Sequence, residues 1–306
     1  MSSFKQHADD YMQLRRALGH KMMHAHFLLP KFVSYLEATD AETVTVEAAL
    51  AWAQSSEHQS MRAQRMQVAR GFARYLVGVE PRTEVPPVGL VPYPNQRRPP
   101  FIYSSDDIAA LISEARTSLV GHLAPTAYET LIGLLAVSGM RVGEALRLDL
   151  TTVDLMEGVL TVRMTKFQKS RELPLHPTTV EALATYARKR DSLHRRLGST
   201  AFFVTDSGKP MQYSRVHRVF RQLVNSSGVG AGSPVTPRIH DLRHSFAVRN
   251  LVEWYRTGEN VEACLPRLST YLGHLDPHTT YWYLSAVPEL LGLAAGRLES
   301  AQVIRA

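Results

Sequence analysis

A mainly α-helical chain with one small antiparallel β-sheet, an α+β arrangement in two domains, is the fold class these 306 residues predict. Three observations predict it. Apolar residues recur in a helical rhythm through residues 1–78 with no strand-like alternation. A proline-dense stretch then interrupts the chain from Glu80 to Pro100. Beyond it, helical patterning gives way around residues 153–175 to short alternating segments, and then resumes.

The first domain is expected over residues 1–79. Met22, Met23, Phe27, Leu28, Leu29, Phe32, Tyr35 and Leu36 keep helical spacing. The clearest helix runs from about 58 to 77. At about 100° per residue, Met61, Val68, Phe72, Tyr75 and Leu76 gather on one side, Arg70 and Arg74 fall opposite, and Arg62 lies on the flank. This predicts a buried stripe backed by a basic outer face.

Residues 80–100 read EPRTEVPPVGLVPYPNQRRPP, where proline removes backbone donors and fixes φ. An extended interdomain linker is expected there. Arg97 and Arg98 near its end would suit phosphate contacts.

The second domain, residues 101–306, opens with Ser104, Ser105 and Asp106 capping a helix through about 116. Another helix, about 125–138, carries Leu131, Leu134 and Leu135 and stops at Gly139. The segments LTVRM and RELPL, separated by TKFQKS, predict a small antiparallel sheet with a polar hairpin tip. Thr178 with Glu181 has the form of a capping box for the next helix. Helices return after FFVTDSG, and a tail helix is expected from Pro288.

Composition narrows the function classes. Thirty-five Lys and Arg against 28 Asp and Glu leave a net charge of +7, which favours an anionic partner. The surplus is concentrated: residues 61–100 hold arginines 62, 65, 70, 74, 82, 97 and 98 against Glu80 and Glu84 alone. The single cysteine, Cys264, makes no internal disulfide and no thiolate cluster, so a reducing compartment, the cytoplasm, is expected. No run approaches the roughly 18–20 apolar residues of a membrane span, and the N-terminus lacks the apolar core of a signal peptide.

Three segments hold candidate chemistry. Gly139-Met-Arg141-Val-Gly-Glu144 breaks the chain after an apolar helix, and Arg141 there could simply pair with Glu144. His240-Asp-Leu-Arg243 places a histidine and an arginine three apart, able to address one anion while Leu242 and Phe246 pack inward. Leu272-Gly-His274 sits at a corner between helices: Gly273 ends one, and Asp276 with Pro277 begins the next.

Taken together they form an inventory for phosphoryl transfer without metal, which needs fixed cations on the nonbridging oxygens, a nucleophile and a proton donor for the leaving oxygen. Arginine suits the first role because its planar fork holds two oxygens and keeps its charge. Tyrosine can serve as a reversible nucleophile if helped to lose its proton. Lys166 or Lys169, in the hairpin, could protonate a departing 5′ oxygen.

The Arg141 segment, a hairpin lysine, His240 with Arg243, Leu-Gly-His274 and Tyr283 nine residues later resemble, in that order, the tyrosine recombinase family of phage integrases and Xer and Cre recombinases. The resemblance covers roughly residues 101–290, and residues 1–78 resemble that family's DNA-clamping, core-binding domain. It implies that Arg141 and Arg243 grip the scissile phosphate with His274 and that Lys166, first lysine of KFQKSRELPL, is the general acid. His240 assists proton movement, Glu144 supports the site from behind, and Tyr283 attacks to give a 3′-phosphotyrosyl link. Tyr281 is the competing nucleophile. The interval from His240 to His274, 34 residues, is longer than in compact relatives, with EWYRTGENVEACLP between.

The function so implied is a site-specific DNA recombinase or integrase of a bacterial mobile element, working as a homotetramer on two double-stranded DNA sites, with accessory proteins possible. No cofactor and no metal is expected. The tail would dock on a neighbouring protomer or on its own domain. Two alternatives stay open: a noncatalytic DNA-binding protein on the same scaffold, and a monomeric type IB topoisomerase.

Overall fold

The computed structural model describes residues 4–92, 98–163, 170–194, 198–273 and 290–292, and the chain divides into two compact units, 1–97 and 98–306. Among its described residues the regular structure of the first is helical: α1 (Phe4–Ala17), α2 (Met23–Ala38), α3 (Val46–Gln54) and α4 (Gln59–Leu76). Its core holds Leu29, Phe32, Leu36, Trp52, Met66, Phe72 and Leu76. Met22, with φ 48°, stands in the left-handed region and separates α1 from α2, so the apolar run around it is no single helix face. Met23 and Phe27 are 66% and 67% exposed, whereas Leu28 and Leu29 turn inward. Gly71 lets α1 close on α4, because a Cβ there would stand 2.8 Å from the Tyr11 hydroxyl.

The stretch expected to run as a linker from Glu80 instead packs on this first unit over residues 80–92. The Glu84 N–H donates to the Val44 carbonyl at 2.8 Å, and its carboxylate accepts the Val46 N–H at 2.7 Å, at the start of α3. Arg70 donates from Nε to the Pro86 carbonyl (2.8 Å) and from Nη2 to the Pro87 carbonyl (2.7 Å). The physical reason is that proline lacks a donor but keeps its acceptor, so an extended proline segment offers carbonyls to any neighbouring guanidinium.

The second unit begins with α5 (Ser105–Ser118), capped by Ser104, whose hydroxyl accepts the Asp107 N–H while the Asp107 carboxylate accepts the Ser104 N–H. Next come α6 (Ala124–Ser138) and the single turn α7 (Val142–Ala145). Strands β1 (Val153–Asp154), β2 (Val159–Arg163) and β3 (Ser170–Pro174) form an antiparallel sheet in that order, with Leu160 opposite Leu173 and Val162 opposite Arg171. Helix α8 (Pro177–Leu193) is capped by His176, whose Nδ1 accepts the Thr178 N–H; it starts before Thr178, so the Thr178–Glu181 box is not its cap. Pro177, suited to the first helical position, moves the start upstream.

Then follow α9 (Tyr213–Ser227), α10 (Asp241–Arg256) and α11 (Val261–Leu272). Of the expected tail helix, residues 290–292 are described; they are helical, and Leu290 is buried against α10 and α11. No described helix is long and apolar enough to cross a membrane.

Candidate active site

The second unit gathers its candidate residues where two helices end. Gly139 caps α6 and Gly273 caps α11, both in the left-handed region (φ 58° and 68°), where a side chain would be strained. At Gly139 the space is closed as well, since a Cβ would stand 2.5 Å from the Phe246 ring. The carbonyls at such ends are the negative pole of the helix dipole and attract cations.

Arg243, in the first turn of α10, answers both ends. It is 2% exposed, and its Nη1 donates to the Gly139 carbonyl and its Nη2 to the Leu272 carbonyl, each at 2.7 Å. Arg141 reaches the same loop: its Nη2 donates to the Gly273 carbonyl at 3.1 Å. Two guanidinium groups 102 residues apart in the chain therefore meet on consecutive carbonyls, directly before His274. The Arg141 side chain is 37% exposed, so this cation stays open to an anion from solvent.

Glu144 lies behind Arg141. Its Oε1 accepts from Arg141 Nη1 at 2.8 Å, its Oε2 from the Arg141 backbone N–H at 3.1 Å, and both oxygens accept from Arg171, Oε2 at 2.8 Å and Oε1 at 3.4 Å. Its side chain is 4% exposed. Burial alone would raise its pKa, but the hydrogen bonds and charge of Arg171, and then the bonds of Arg141, outweigh burial and hold the carboxyl down at about 2. The simple ion pair that the Arg141–Glu144 spacing allows does form, within a larger cluster.

His240 forms the N-terminal boundary of α10, its ring edge-on to that of His244 at 4.9 Å. The residue is exposed by area, yet protein atoms crowd its ring. That loss of solvation, then the charge of Arg243, lowers its pKa, against which Asp241 pulls upward. The ring is thus held in its neutral, proton-accepting form over a wider pH range. The loop before it is pinned: buried Asp241 accepts from the Arg238 backbone N–H at 3.0 Å and from Arg238 Nη2 at 2.8 Å, and the Tyr103 hydroxyl donates to the Arg238 carbonyl at 3.1 Å.

Of the expected site residues, Arg141, Glu144, His240 and Arg243 are brought together. Lys166, with its alternative Lys169, and His274, Tyr283 and Tyr281 lie outside the described residues, as does Arg97. Among the described residues no group of three or more His, Cys, Asp or Glu is placed to hold a metal.

In the first unit, Arg74 is exposed and lines, with Arg15, Arg70, Tyr11 and His24, a groove of about 430 Å³ between α1, α2 and α4. Arg70, expected on the outer face, is half-buried on the proline carbonyls, and Arg62 Nε donates to the Ser56 carbonyl at 2.6 Å. Arg98 is exposed at the start of the second unit.

Two features were missed in the sequence. Arg171 was readable: in SRELP its period-2 partner is Leu173, so it occupies the inward face of β3 while Ser170, Glu172 and Pro174 point out. An arginine among inward residues calls for a buried anion. The other feature is α9, where Val216, Phe220, Leu223 and Val224 are buried and Arg215, Arg218 and Arg221 are exposed. At 100° per residue those arginines form one cationic face.

The model of the phage integrase family matches residues 103–289. A putative integrase/recombinase, y4rB of Sinorhizobium fredii, is 42% identical over 98% of both chains. Tyrosine recombinase XerD of Staphylococcus aureus is 28% identical over 70% of this chain and 68% of its own. Among solved structures, the Tn1549 transposon integrase in complex with transposon right end DNA aligns with a TM-score of 0.67 at 15% identity, covering 96% of this chain and 98% of that one. The XerH site-specific recombinase bound to palindromic difH substrate aligns with a TM-score of 0.66 at 18% identity, covering 98% and 86%.

Proposed function

Because the chain belongs to the phage integrase family, we propose that it is a site-specific tyrosine recombinase that cuts and rejoins double-stranded DNA through Tyr283. The observation that carries the reading is the meeting of Arg141 and Arg243 on adjacent carbonyls at residues 272 and 273. An anion entering there faces two cations whose charge does not titrate, one of them open to solvent.

In this reading the Tyr283 oxygen attacks the scissile phosphorus, and its proton passes to neutral His240. Negative charge growing on the nonbridging oxygens is met by Arg141 and Arg243, with His274 as a further donor. The bond to the 5′ oxygen breaks, and Lys166 delivers a proton to that oxygen, leaving a 3′-phosphotyrosyl link and a 5′-hydroxyl. One phosphodiester replaces another of similar energy, so attack by a new 5′-hydroxyl reverses the sequence without a nucleotide cofactor. One tyrosine per chain cuts one strand, which makes four chains on two sites the unit of complete exchange. The groove of Arg15, Arg70 and Arg74, with Arg98 and the cationic face of α9, would take the flanking DNA backbone. Service of a mobile element is supported by the transposon integrase and the putative integrase among the similar proteins.

The test is covalent trapping. Purified protein is incubated with fragmented genomic DNA of its source, denatured, and the protein-linked DNA is recovered and sequenced. Discrete sites with DNA attached at Tyr283 are expected, together with loss of the adduct in Tyr283→Phe. Adduct formation by Tyr283→Phe would refute the nucleophile, and relaxation of any supercoiled plasmid without a preferred site would refute site specificity.

A further inference from the structure

We propose that Arg171 is a positioning residue for strand cleavage, acting through Glu144 on Arg141; this rests on the strand-transfer reading above. Its Nη2 donates to Glu144 Oε2 at 2.8 Å and its Nη1 to Oε1 at 3.4 Å, and its side chain is 11% exposed. A carboxylate this deeply buried requires compensation. If Arg141 alone supplied it, carboxylate and guanidinium would cancel, and an approaching phosphate would meet a neutral pair. With Arg171 the cluster holds two guanidinium charges against one carboxylate, a net +1, and the exposed member is Arg141. Arg171 thus offsets Glu144 from the buried side and leaves Arg141 its charge.

Geometry adds a second effect. Arg171 and Arg141 share both carboxylate oxygens, so the plane of Glu144 is fixed by β3 on one side and by the start of α7 on the other. Bidentate pairing of this kind holds orientation as well as distance. Arg141 is thereby braced in place before any phosphate arrives, as electrostatic stabilisation of a transition state requires.

The experiment uses the full-length chain and a nicked duplex carrying a site recovered from covalent adducts. The scissile position is made in three forms: ordinary phosphate, an uncharged methylphosphonate, and a 5′-bridging phosphorothiolate whose sulfur leaves without a proton. Arg171→Gln removes the charge at similar length, and Arg171→Lys keeps the charge but loses the fork. Expected is a fall in cleavage of about 100-fold for Arg171→Gln and about 10-fold for Arg171→Lys on ordinary phosphate, with duplex binding within about threefold of wild type.

On methylphosphonate, where there is less charge for Arg141 to stabilise, the ratio of variant to wild type should return to within about threefold. On phosphorothiolate the defect should persist. Equal defects on all three substrates would make Arg171 a fold residue and overturn the proposal. Recovery only with the bridging sulfur would place its effect on the leaving oxygen, and would overturn it too. A wild-type chain that forms no adduct refutes the parent reading, whereas an active wild type with uniform variant defects refutes this one alone.

Discussion

Arginines settle backbone carbonyls in both units, but in different surroundings. In the first, Arg70 holds the Pro86 and Pro87 carbonyls at a half-exposed strap along α4. In the second, the almost fully buried Arg243 holds the carbonyl ends of two helices, and Arg141 joins it on the same loop. Where water competes, such bonds add little to stability. Where it is excluded, removing the donor leaves acceptors desolvated and unpaired. The same side chain is therefore a local clamp in one place and the organiser of a site in the other.

The sharpest way to break this comparison is Arg243→Ala. It should cost about 3 kcal/mol of stability, because two buried carbonyls lose their partner, and it should reduce covalent adduct formation at least about 100-fold. Denaturant unfolding and adduct yield measure the two. A stability loss no larger than that of Arg70→Ala would show that burial does not separate the two regions.

Acid titration probes the same contrast at Glu144. Its carboxyl titrates near 2 in the folded chain, below its ordinary value of 4.5, so its stabilising effect is complete above about 4.5 and is lost as pH falls towards 2. That contribution is about 3 kcal/mol at neutral pH. Glu144→Gln should therefore be less stable than wild type at pH 7, and the gap should close between about pH 4.5 and 2. A gap independent of pH would mean that its ion pairs are not what holds the carboxyl.

The smallest effects belong to the first unit. Arg70→Ala should cost about 1 kcal/mol through release of the proline segment, while exposed Arg74→Ala should change stability by less than about 0.5 kcal/mol. If Arg74 contacts a DNA phosphate, its removal lowers the slope of log affinity against log salt by about one. An unchanged slope would take Arg74 out of the interface.

Much of the fold could be read because it rests on local chemistry. The stripe of α4, the Ser104 cap and the glycine stop at Gly139 each declare themselves within a few residues. What could not be read depends on partners without side-chain identity. Nothing in the sequence says that Arg243 will find the carbonyls of residues 139 and 272, since every residue has a carbonyl. The proline segment misled for the same reason: its lack of donors is visible, while its acceptors become visible only beside Arg70. At the site, the ordered motifs and the family resemblance they carry marked Arg141, Glu144, His240 and Arg243, whereas Arg171 needed the pleat of β3 to be applied to a charged residue.

The bond from Arg243 to Leu272 ties the first turn of α10 to the last turn of α11, and residues 257–260 join the two helices at their other ends. The pair is a hairpin clasped at its open mouth. Adding or deleting matched turns at the closed end would leave the clasp untouched, so the long chain interval between His240 and Gly273 is slack that the fold absorbs far from the carbonyls that Arg243 and Arg141 hold.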